Sequence, residues 1–530
     1  MRRALAGAAL LATAAPLAAQ APEPTMERVP DRRAGEGDGP YSKLVIRGAI
    51  LIDGTGAPPR GPVDIVIEGN RIASITGAGT PGLPLEPSRP PRDAVREIDA
   101  TGMYVMPGFV DTHGHNGDPA KAPNPSYGYK LWLAHGVTTV RGVSLYWGPD
   151  NASLDDKRRS AANTIVAPRL FAYAVLGDVW SGGAVDSPER ARAWVRWAKK
   201  AGYDGVKLFN SETRPVTAAA LDEARKLGLG TVAHLGQGGV AEVNARTAGQ
   251  LGLGSITHFY GHFESLLKDS SLPRYPADYN MLDEQDRFYG VALLADQIVE
   301  PGGPEWRAYL EEQLARGVVF NPTLNIYSAS RDVMRARNAD WHEKYTLPSL
   351  MDFFQPSRVN HGSYWYDWTT AKEVAWRRFY GPYMRLMNDY KNLGGRVTLG
   401  SDPGYIYQSW GFPYIAEMEL LQEAGFTPLE VIRAATSHGA DEIYRPKGVT
   451  APFGAVRAGM LADLVIAPEN PLHNFKTLYG TGFERLGKDG KVERVGGVRY
   501  TIKDGIVYDA RALLADVAAM VADKKRAPAN

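Results

Sequence analysis

Histidine residues follow an apolar segment in a spacing that suits a metal centre. The segment YVMPGFVDTHGH ends in His113 and His115, which are two positions apart. On a β-strand such a pair points to one face, where two imidazoles can share a divalent ion. An HxH pair also arises by chance, so this interpretation depends on the other segments of the chain.

Four more polar residues stand inside or at the end of apolar segments. Lys207 lies within VKLF, His234 ends TVAH, His258 ends SITH and Asp402 ends VTLGSD. Burial of an unpaired ammonium costs several kcal/mol, so Lys207 needs a partner, a neutral state or a modification. Together with His113 and His115, these residues form the predicted site.

The elements that must position these residues alternate between strands and helices. Examples are PERARAWVRWAKKAG, an amphipathic helix, and YDGVKLFN, a buried strand. About eight such units favour a closed (β/α)8 TIM-like barrel over an open parallel sheet. At roughly 30 residues per unit, Lys207, His234 and His258 fall on strands 4, 5 and 6. The barrel therefore predicts that all six residues meet at its carboxyl-terminal rim.

The two ends of the chain are rich in short strands and predict a second domain. We expect residues 43–105 and 444–510 to pair into a small composite β-sandwich, with the barrel at 106–443 and a C-terminal tail at 511–530. Long insertions at about 260–390 carry many tyrosines and tryptophans. These aromatic residues would either form a local core that packs the long loops or line a lid over the pocket.

The chain begins with a typical secretory signal sequence. Residues 1–21 combine Arg2 and Arg3, an Ala/Leu run and small residues near Ala19 and Ala21, and 22–42 read as a linker. This predicts an exported protein, periplasmic or secreted. No later apolar run reaches the roughly 18 residues of a membrane span, so we expect no membrane insertion.

Composition excludes several classes of function. The chain of 530 residues has no cysteine, which excludes disulfides, thiolate metal sites and cysteine nucleophiles. Its 60 basic and 59 acidic residues give a net charge of +1, without the basic bias of a nucleic-acid-binding protein. A small-molecule substrate is therefore expected, and the sequence is compatible with a homo-oligomer.

These motifs resemble the metal-dependent amidohydrolase superfamily. The resemblance runs through VIRGAILIDGTG, PGFVDTHGH, GVTTVRGV, YDGVKLF, LGSDPG and GMLADLVIAPENPL, over about residues 43–510. Within the superfamily the chain is similar to the imidazolonepropionase-like branch, which includes prolidase-type dipeptidases.

The resemblance implies a binuclear site of two divalent ions. His113, His115 and Asp402 would hold the first ion, and His234 and His258 the second. Lys207, carboxylated on its amine to N6-carboxylysine, would bridge both. Imidazole and oxygen ligands make zinc the default, with Mn, Fe or Co as alternatives. A hydroxide bridging the metals would then attack the substrate, with Asp402 as general base.

Lys207 favours amide or ester hydrolysis over deamination, because the resemblance links deaminase-type relatives to one metal and no lysine on strand 4. We expect an amide of the dipeptide or N-acyl amino acid type. Alternatives are a lactonase, esterase or phosphotriesterase with the same site, and a non-catalytic periplasmic binding protein. The Gly-Gly-His segment found after strand 3 in some prolidase-type relatives is missing, which leaves recognition of a dipeptide carboxylate open.

Three further residues are candidates for contact with substrate. Tyr260 follows the strand of His258, and its phenol could hydrogen-bond the substrate carbonyl oxygen. His262, in HFYGH, is a candidate substrate group or a loop histidine. Arg141, in VTTVRGV, would orient a ligand or pair with a carboxylate.

Overall fold

The computed structural model describes residues 25–80, 83–84, 86–87, 89–146, 152–209, 212–269, 272–358 and 360–526. The predicted signal peptide, 1–21, lies outside these residues. Within them, no helix is long and apolar enough to cross a membrane.

The strands of this part of the chain are short, and they fall into two large sheets and one hairpin. In chain order they are β1 (Leu44–Leu51), β2 (Arg60–Glu68), β3 (Arg71–Gly77), β4 (Arg96–Asp99), β5 (Tyr104–Pro107), β6 (Phe109–Gly114), β7 (Val137–Val143), β8 (Arg169–Val175), β9 (Gly205–Phe209), β10 (Gly230–His234), β11 (Ser255–Thr257), β12 (Val319–Asn321), β13 (Leu464–Ala467), β14 (Phe483–Leu486), β15 (Val492–Val495), β16 (Tyr500–Lys503) and β17 (Ile506–Asp509).

The helices lie mostly between the strands of the second sheet and in the long insertions. They are α1 (Ser126–Ala134), α2 (Ala152–Ala161), α3 (Pro188–Ala201), α4 (Arg214–Lys226), α5 (Ala245–Gln250), α6 (Glu284–Ala292), α7 (Pro304–Arg316), α8 (Ser328–Arg331), α9 (Val333–Arg337), α10 (His342–Tyr345), α11 (Pro348–Phe353), α12 (Thr370–Asn392), α13 (Phe412–Glu423), α14 (Pro428–Arg433), α15 (Gly439–Tyr444) and α16 (Ala510–Arg526).

Strands β6 to β12 form a parallel sheet in chain order, and a short segment at 396–399 closes it into a barrel. The amide of Thr398 donates to the carbonyl of Phe320 in β12 at 3.0 Å, and the amide of Thr112 in β6 donates to Leu399 at 2.8 Å. The predicted (β/α)8 barrel is therefore confirmed, with the segment in the eighth position. Its strands place Lys207 on the fourth strand, His234 at the end of the fifth and His258 directly after the sixth.

The helix α3 shows why the outer layer forms where the sequence predicts it. Ser187 accepts a hydrogen bond from the amide of Arg190, and Pro188 occupies the first turn. Gly202 ends the helix with a φ of 105°, a left-handed conformation that glycine adopts without steric cost. Between these ends, Trp194 and the other apolar residues on its face are buried against the barrel.

Strands from both ends of the chain form the predicted second domain. The sheet order is β17-β16-β13-β5-β1-β2-β3, with β4 paired to β1. Strand β13 runs antiparallel to β5, with Leu464 opposite Pro107, so the C-terminal strands join the N-terminal ones directly. The alternating apolar residues of both sets share one core.

Two segments differ from their sequence interpretation. The stretch 511–530, expected as a tail, contains most of α16, whose residues Leu513, Val517 and Val521 are buried. Lys130 of α1 pairs with Asp516 of this helix at 2.6 Å. The expected linker at 22–42 includes buried Val29 and a β-bridge from Asp38 to Val507.

The insertions that precede and follow β12 pack their aromatic residues on one another. Tyr327 stacks on Trp376 with centroids 5.8 Å apart, and Phe288 stacks on Tyr364 at 4.2 Å. These rings belong to the same apolar core as the barrel. The aromatic content of the insertions therefore supplies a local core over this side of the barrel.

Candidate active site

His113, His115 and Asp402 meet where β6 adjoins the closing segment. One carboxylate oxygen of Asp402, Oδ1, lies 3.6 Å from Nε2 of His113 and 3.3 Å from Nε2 of His115. The amide of Asp402 donates to the carbonyl of His113 at 2.9 Å. A Cβ at Gly400 would lie 2.5 Å from the Cβ of His113, so only glycine allows this approach.

His258 and His234 stand on the other side of the same carboxylate. Nε2 of His258 is 3.7 Å from the second oxygen of Asp402, Oδ2, and its ring centroid is 4.7 Å from that of His234. His258 and Asp402 have positive φ angles of 66° and 45°. Such strained backbone at non-glycine residues often marks functional sites.

Lys207 extends from β9 into the barrel and is 2% exposed. Its ammonium nitrogen forms no hydrogen bond or ion pair with the residues that the structure describes. Burial lowers the pKa of this amine to about 7, so the neutral form is accessible near neutral pH.

The protonation states of the site suit metal ligands. Burial lowers the pKa of His258 to about 3, and burial holds the pKa values of His113 and His234 well below the ordinary value. Burial raises the pKa of Asp402, but the hydrogen bond from His115 and the positive charges around it bring it below its usual value. The rings are thus neutral with free lone pairs, and the carboxylate is charged.

Buried imidazole nitrogens that lack hydrogen-bond partners among the described residues indicate whether a metal fits this site. Among the described residues, Nε2 of His234 is buried and has no hydrogen-bond partner, and neither has Nδ1 of His113, whose Nε2 faces Asp402. Ligand atoms of His113, His258 and Asp402 lie within 4.8 Å of one another. Unpaired buried nitrogens are costly in a core and ordinary at a metal site, so the donor set fits divalent ions.

Asp111 positions the site, although the sequence analysis did not single it out. Its carboxylate accepts hydrogen bonds from the amide of His113 at 3.1 Å, from Trp132 Nε1 at 3.0 Å and from the amide and hydroxyl of Ser401. Burial raises its pKa to about 6, while these donors act in the opposite direction. The sequence does contain a sign of this role: Asp111, His113 and His115 are each two positions apart, so on a strand their side chains point to the same face.

Replacing Asp111 with asparagine is expected to lower the free energy of unfolding by about 2 kcal/mol, because an NH2 group would face a hydrogen-bond donor. We also expect weaker metal binding, because His113 and Asp402 would lose their common support. Chemical denaturation and metal titration measure both effects. Asp99→Asn, at an exposed carboxylate that also accepts a backbone hydrogen bond, is the control. Equal stability of the two variants would contradict this role.

A second support holds the ring of His258. Its Nδ1 lies 2.5 Å from Oγ1 of Thr323, in the loop after β12. The carboxylate of Glu417 in α13 accepts the amides of Leu324 at 2.9 Å and Asn325 at 2.7 Å. These contacts fix the loop and leave Nε2 of His258 facing Asp402.

Of the three substrate candidates, Tyr260 alone contacts the histidines predicted as metal ligands. Its ring centroid is 4.6 Å from that of His234, and its hydroxyl accepts a hydrogen bond from Tyr327 at 3.4 Å. Burial raises the pKa of Tyr260 to about 12, so it stays a neutral donor.

Arg141 and His262 have other partners. Arg141 donates to the carbonyl of Thr112 at 2.6 Å and pairs with Glu442 inside the barrel. His262 is buried beside Tyr309, with Nδ1 2.5 Å from its hydroxyl. These contacts account for both residues as supports of the barrel, and a role in substrate binding stays a prediction.

Comparison with known proteins extends this description. No model of a known protein family matches the chain. The N-acyl-D-aspartate deacylase of Alcaligenes xylosoxydans xylosoxydans is 31% identical over 212 residues, which cover 34% of this chain and 39% of that protein. Other relatives bear the names dihydroorotase, allantoinase and imidazolonepropionase. The matches span less than half the length of these relatives.

Solved structures match over most of the chain. Bottromycin amidohydrolase gives a TM-score of 0.60 at 21% identity and covers 91% of both chains. A Xaa-Pro dipeptidase with bound methionine gives 0.57 at 19% identity, covering 88% of this chain and 100% of that one. The sequence relatives and the fold of this chain are those of the amidohydrolase superfamily. The predicted resemblance is thereby confirmed, and the candidate site residues lie within an amidohydrolase fold.

Proposed function

We propose that the protein is a binuclear metal-dependent hydrolase of amide bonds. One observation carries the proposal: four imidazoles, the Asp402 carboxylate and the buried amine of Lys207 all belong to the carboxyl-terminal part of the barrel strands. His113, His115 and Asp402 would hold one ion, and His234 and His258 the other. Zinc suits these ligands best.

Lys207 would complete the site as N6-carboxylysine. Its neutral amine would add to the carbon of carbon dioxide and release one proton, and the resulting carbamate would offer two oxygens as metal ligands. The burial of Lys207 without a partner among the described residues supports this step, because the modified side chain is an anion between two cations.

The protein's own residues then direct hydrolysis. Two bound cations would supply Lewis acidity and a hydroxide nucleophile at neutral pH. Asp402 lies beside the ligand histidines, where its carboxylate can take the proton from the nucleophile and pass it to the leaving amine. Tyr260, whose ring packs against that of His234, would donate a hydrogen bond to the carbonyl oxygen.

The relatives favour an amide over other bonds. Two sequence relatives are named for deacylation of N-acyl-D-aspartate and N-acyl-D-glutamate, and one structural neighbour is a Xaa-Pro dipeptidase. We therefore propose an N-acyl amino acid or a dipeptide as substrate. From residues 1–21 we further propose that the protein is exported, to the periplasm or the medium.

Metal analysis combined with a substrate panel tests this function. We expect about two divalent ions per chain, and hydrolysis within a panel of N-acyl amino acids, dipeptides, esters and lactones that is fastest for amides. A chelator should abolish turnover and Zn²⁺ should restore it, while untreated enzyme carried through the same dialysis is the control. Full activity in metal-free protein would overturn the proposal. Ligand binding without turnover would favour a binding protein instead.

A further inference from the structure

Lys121 is a buried lysine beside the site that the mechanism above does not use. It lies in the loop between β6 and α1 and is 5% exposed. Its ammonium nitrogen stands 3.9 Å from the centroid of the Tyr405 ring and 4.3 Å from that of Phe353. The carbonyl of Lys121 accepts a hydrogen bond from Ser349 at 2.7 Å, which connects this loop to α11 in the insertion after β12.

Tyr405 connects this lysine to the metal ligands. Its ring meets that of His115 edge-on, with centroids 6.1 Å apart, and it follows Asp402 by three residues. The ammonium of Lys121 thus lies one aromatic ring from the ligand histidines. Burial lowers the pKa of Lys121 below its ordinary value, while the charges of Asp118 and Asp402 act to raise it.

The Lys121 ammonium has more N–H donors than strong hydrogen-bond acceptors among the described residues. Its only ion pair among the described residues is with Oδ2 of Asp118 at 3.4 Å, and the Asp118 side chain is 30% exposed. An ammonium has three N–H donors, and the faces of two rings stabilise its charge without accepting strong hydrogen bonds. A desolvated cation in this state is a binding point for an anionic group.

Two other basic groups near the site, His361 and Arg287, already have partners. The ring of His361 is 5.7 Å from that of Tyr405, but its Nδ1 lies 2.8 Å from the carboxylate of Glu284. Arg287 donates to the other oxygen of Glu284 at 3.2 Å and to Gln237 at 3.1 Å. Lys121 is therefore the better candidate for an added anion.

We propose that Lys121 is a specificity-determining residue that binds a carboxylate of the substrate while the adjacent amide is hydrolysed. The inference rests on the proposed function and adds to it a requirement for an anionic substrate. Asp118 holds the ammonium in place until the carboxylate binds, and the Tyr405 ring packs against both the ammonium and His115.

Matched substrates test this role. N-acyl amino acids are compared with their C-terminal dimethylamides, which keep the scissile bond and lack the charge. We expect the wild-type enzyme to prefer the acids. Lys121→Met should raise KM for the acids by about 10- to 100-fold, the value of one charge-assisted hydrogen bond, and leave kcat for the dimethylamides within about twofold. Lys121→Arg should keep part of the preference.

Two further variants serve as controls. Asp118→Asn keeps the backbone hydrogen bonds of the loop through its amide oxygen and frees the ammonium, so the preference for acids should persist or grow. Lys344→Met removes an exposed lysine that stands 5.6 Å from the ring of Tyr345, and it should change nothing. Equal losses on acids and dimethylamides in Lys121→Met would assign Lys121 to loop stability and overturn the inference.

Binding separates this inference from the proposed function. Calorimetry with N-acetylphenylalanine and its dimethylamide needs no turnover. If the panel shows no hydrolysis, the proposed function fails, yet tighter binding of the acid that disappears in Lys121→Met still supports the carboxylate site. Equal binding of acid and dimethylamide to the wild-type protein overturns it, whether or not the protein is an enzyme.

Discussion

Replacement of Asp402 by asparagine is expected to lower kcat by about 10³-fold, the usual value of a well-placed general base. The asparagine side chain keeps an oxygen that can ligate a metal, and its size is the same. It cannot accept a proton. Since the carboxylate lies within 3.7 Å of His113, His115 and His258, its loss removes the proton acceptor that the proposed mechanism requires.

Steady-state kinetics and metal content together test this expectation. The variant should retain at least one ion per chain, and KM should change much less than kcat. Asp402→Glu provides the comparison, because it restores a carboxylate at a longer reach and should recover part of the lost rate. Turnover of Asp402→Asn within about tenfold of wild type would show that another group accepts the proton.

The convergence of the candidate ligands on one rim was predictable because strand ends are visible in sequence. His113 and His115 end one apolar segment and His234 ends another, and a parallel barrel brings all such ends to one rim. Lys207 was visible for a different reason, since a charged residue within VKLF is out of place in a buried strand unless it has a function. Neither argument needed side-chain geometry.

The supporting residues were not predictable in the same way. Asp111 accepts hydrogen bonds from Ser401, and Glu417 accepts one from the loop after β12. The partners in each pair are far apart in the sequence and become neighbours only when the barrel closes. The positive φ of Asp402 depends on this closure as well. Arg141 and His262 resemble site residues by type, yet their partners lie inside the barrel and beside α7.

The contacts of Asp111 and Thr323 explain how the Asp402 carboxylate can lie close to several histidines. Asp111 joins β6 to the closing segment, and Thr323 orients the His258 ring from the loop after β12. The first and last elements of the barrel are thereby locked where they meet. Asp402 consequently faces His113 and His258 at once without depending on the flexible ends of long side chains.

Replacement of Lys207 is expected to remove one of the two ions and to lower kcat/KM by about 10³-fold or more, because the Lewis acidity of a bound ion is worth several kcal/mol. Metal analysis should fall from about two ions per chain to one or fewer. Wild-type protein in ¹³C-bicarbonate should also give a carbamate carbon signal by NMR, and the variant should not.

Two substitutions distinguish a bridging ligand from a structural lysine. Lys207→Ala leaves a cavity in which acetate or propionate, added with Zn²⁺, should restore part of the activity, whereas Lys207→Met fills the cavity and should resist rescue. Lys207→Met should not destabilise the metal-free protein, because it replaces a buried ammonium that lacks a partner among the described residues. Two results would contradict this role: full activity of the methionine variant, or a metal-free form of it that unfolds much more easily than wild type. In either case the metal centre would consist of the histidines and Asp402 without Lys207.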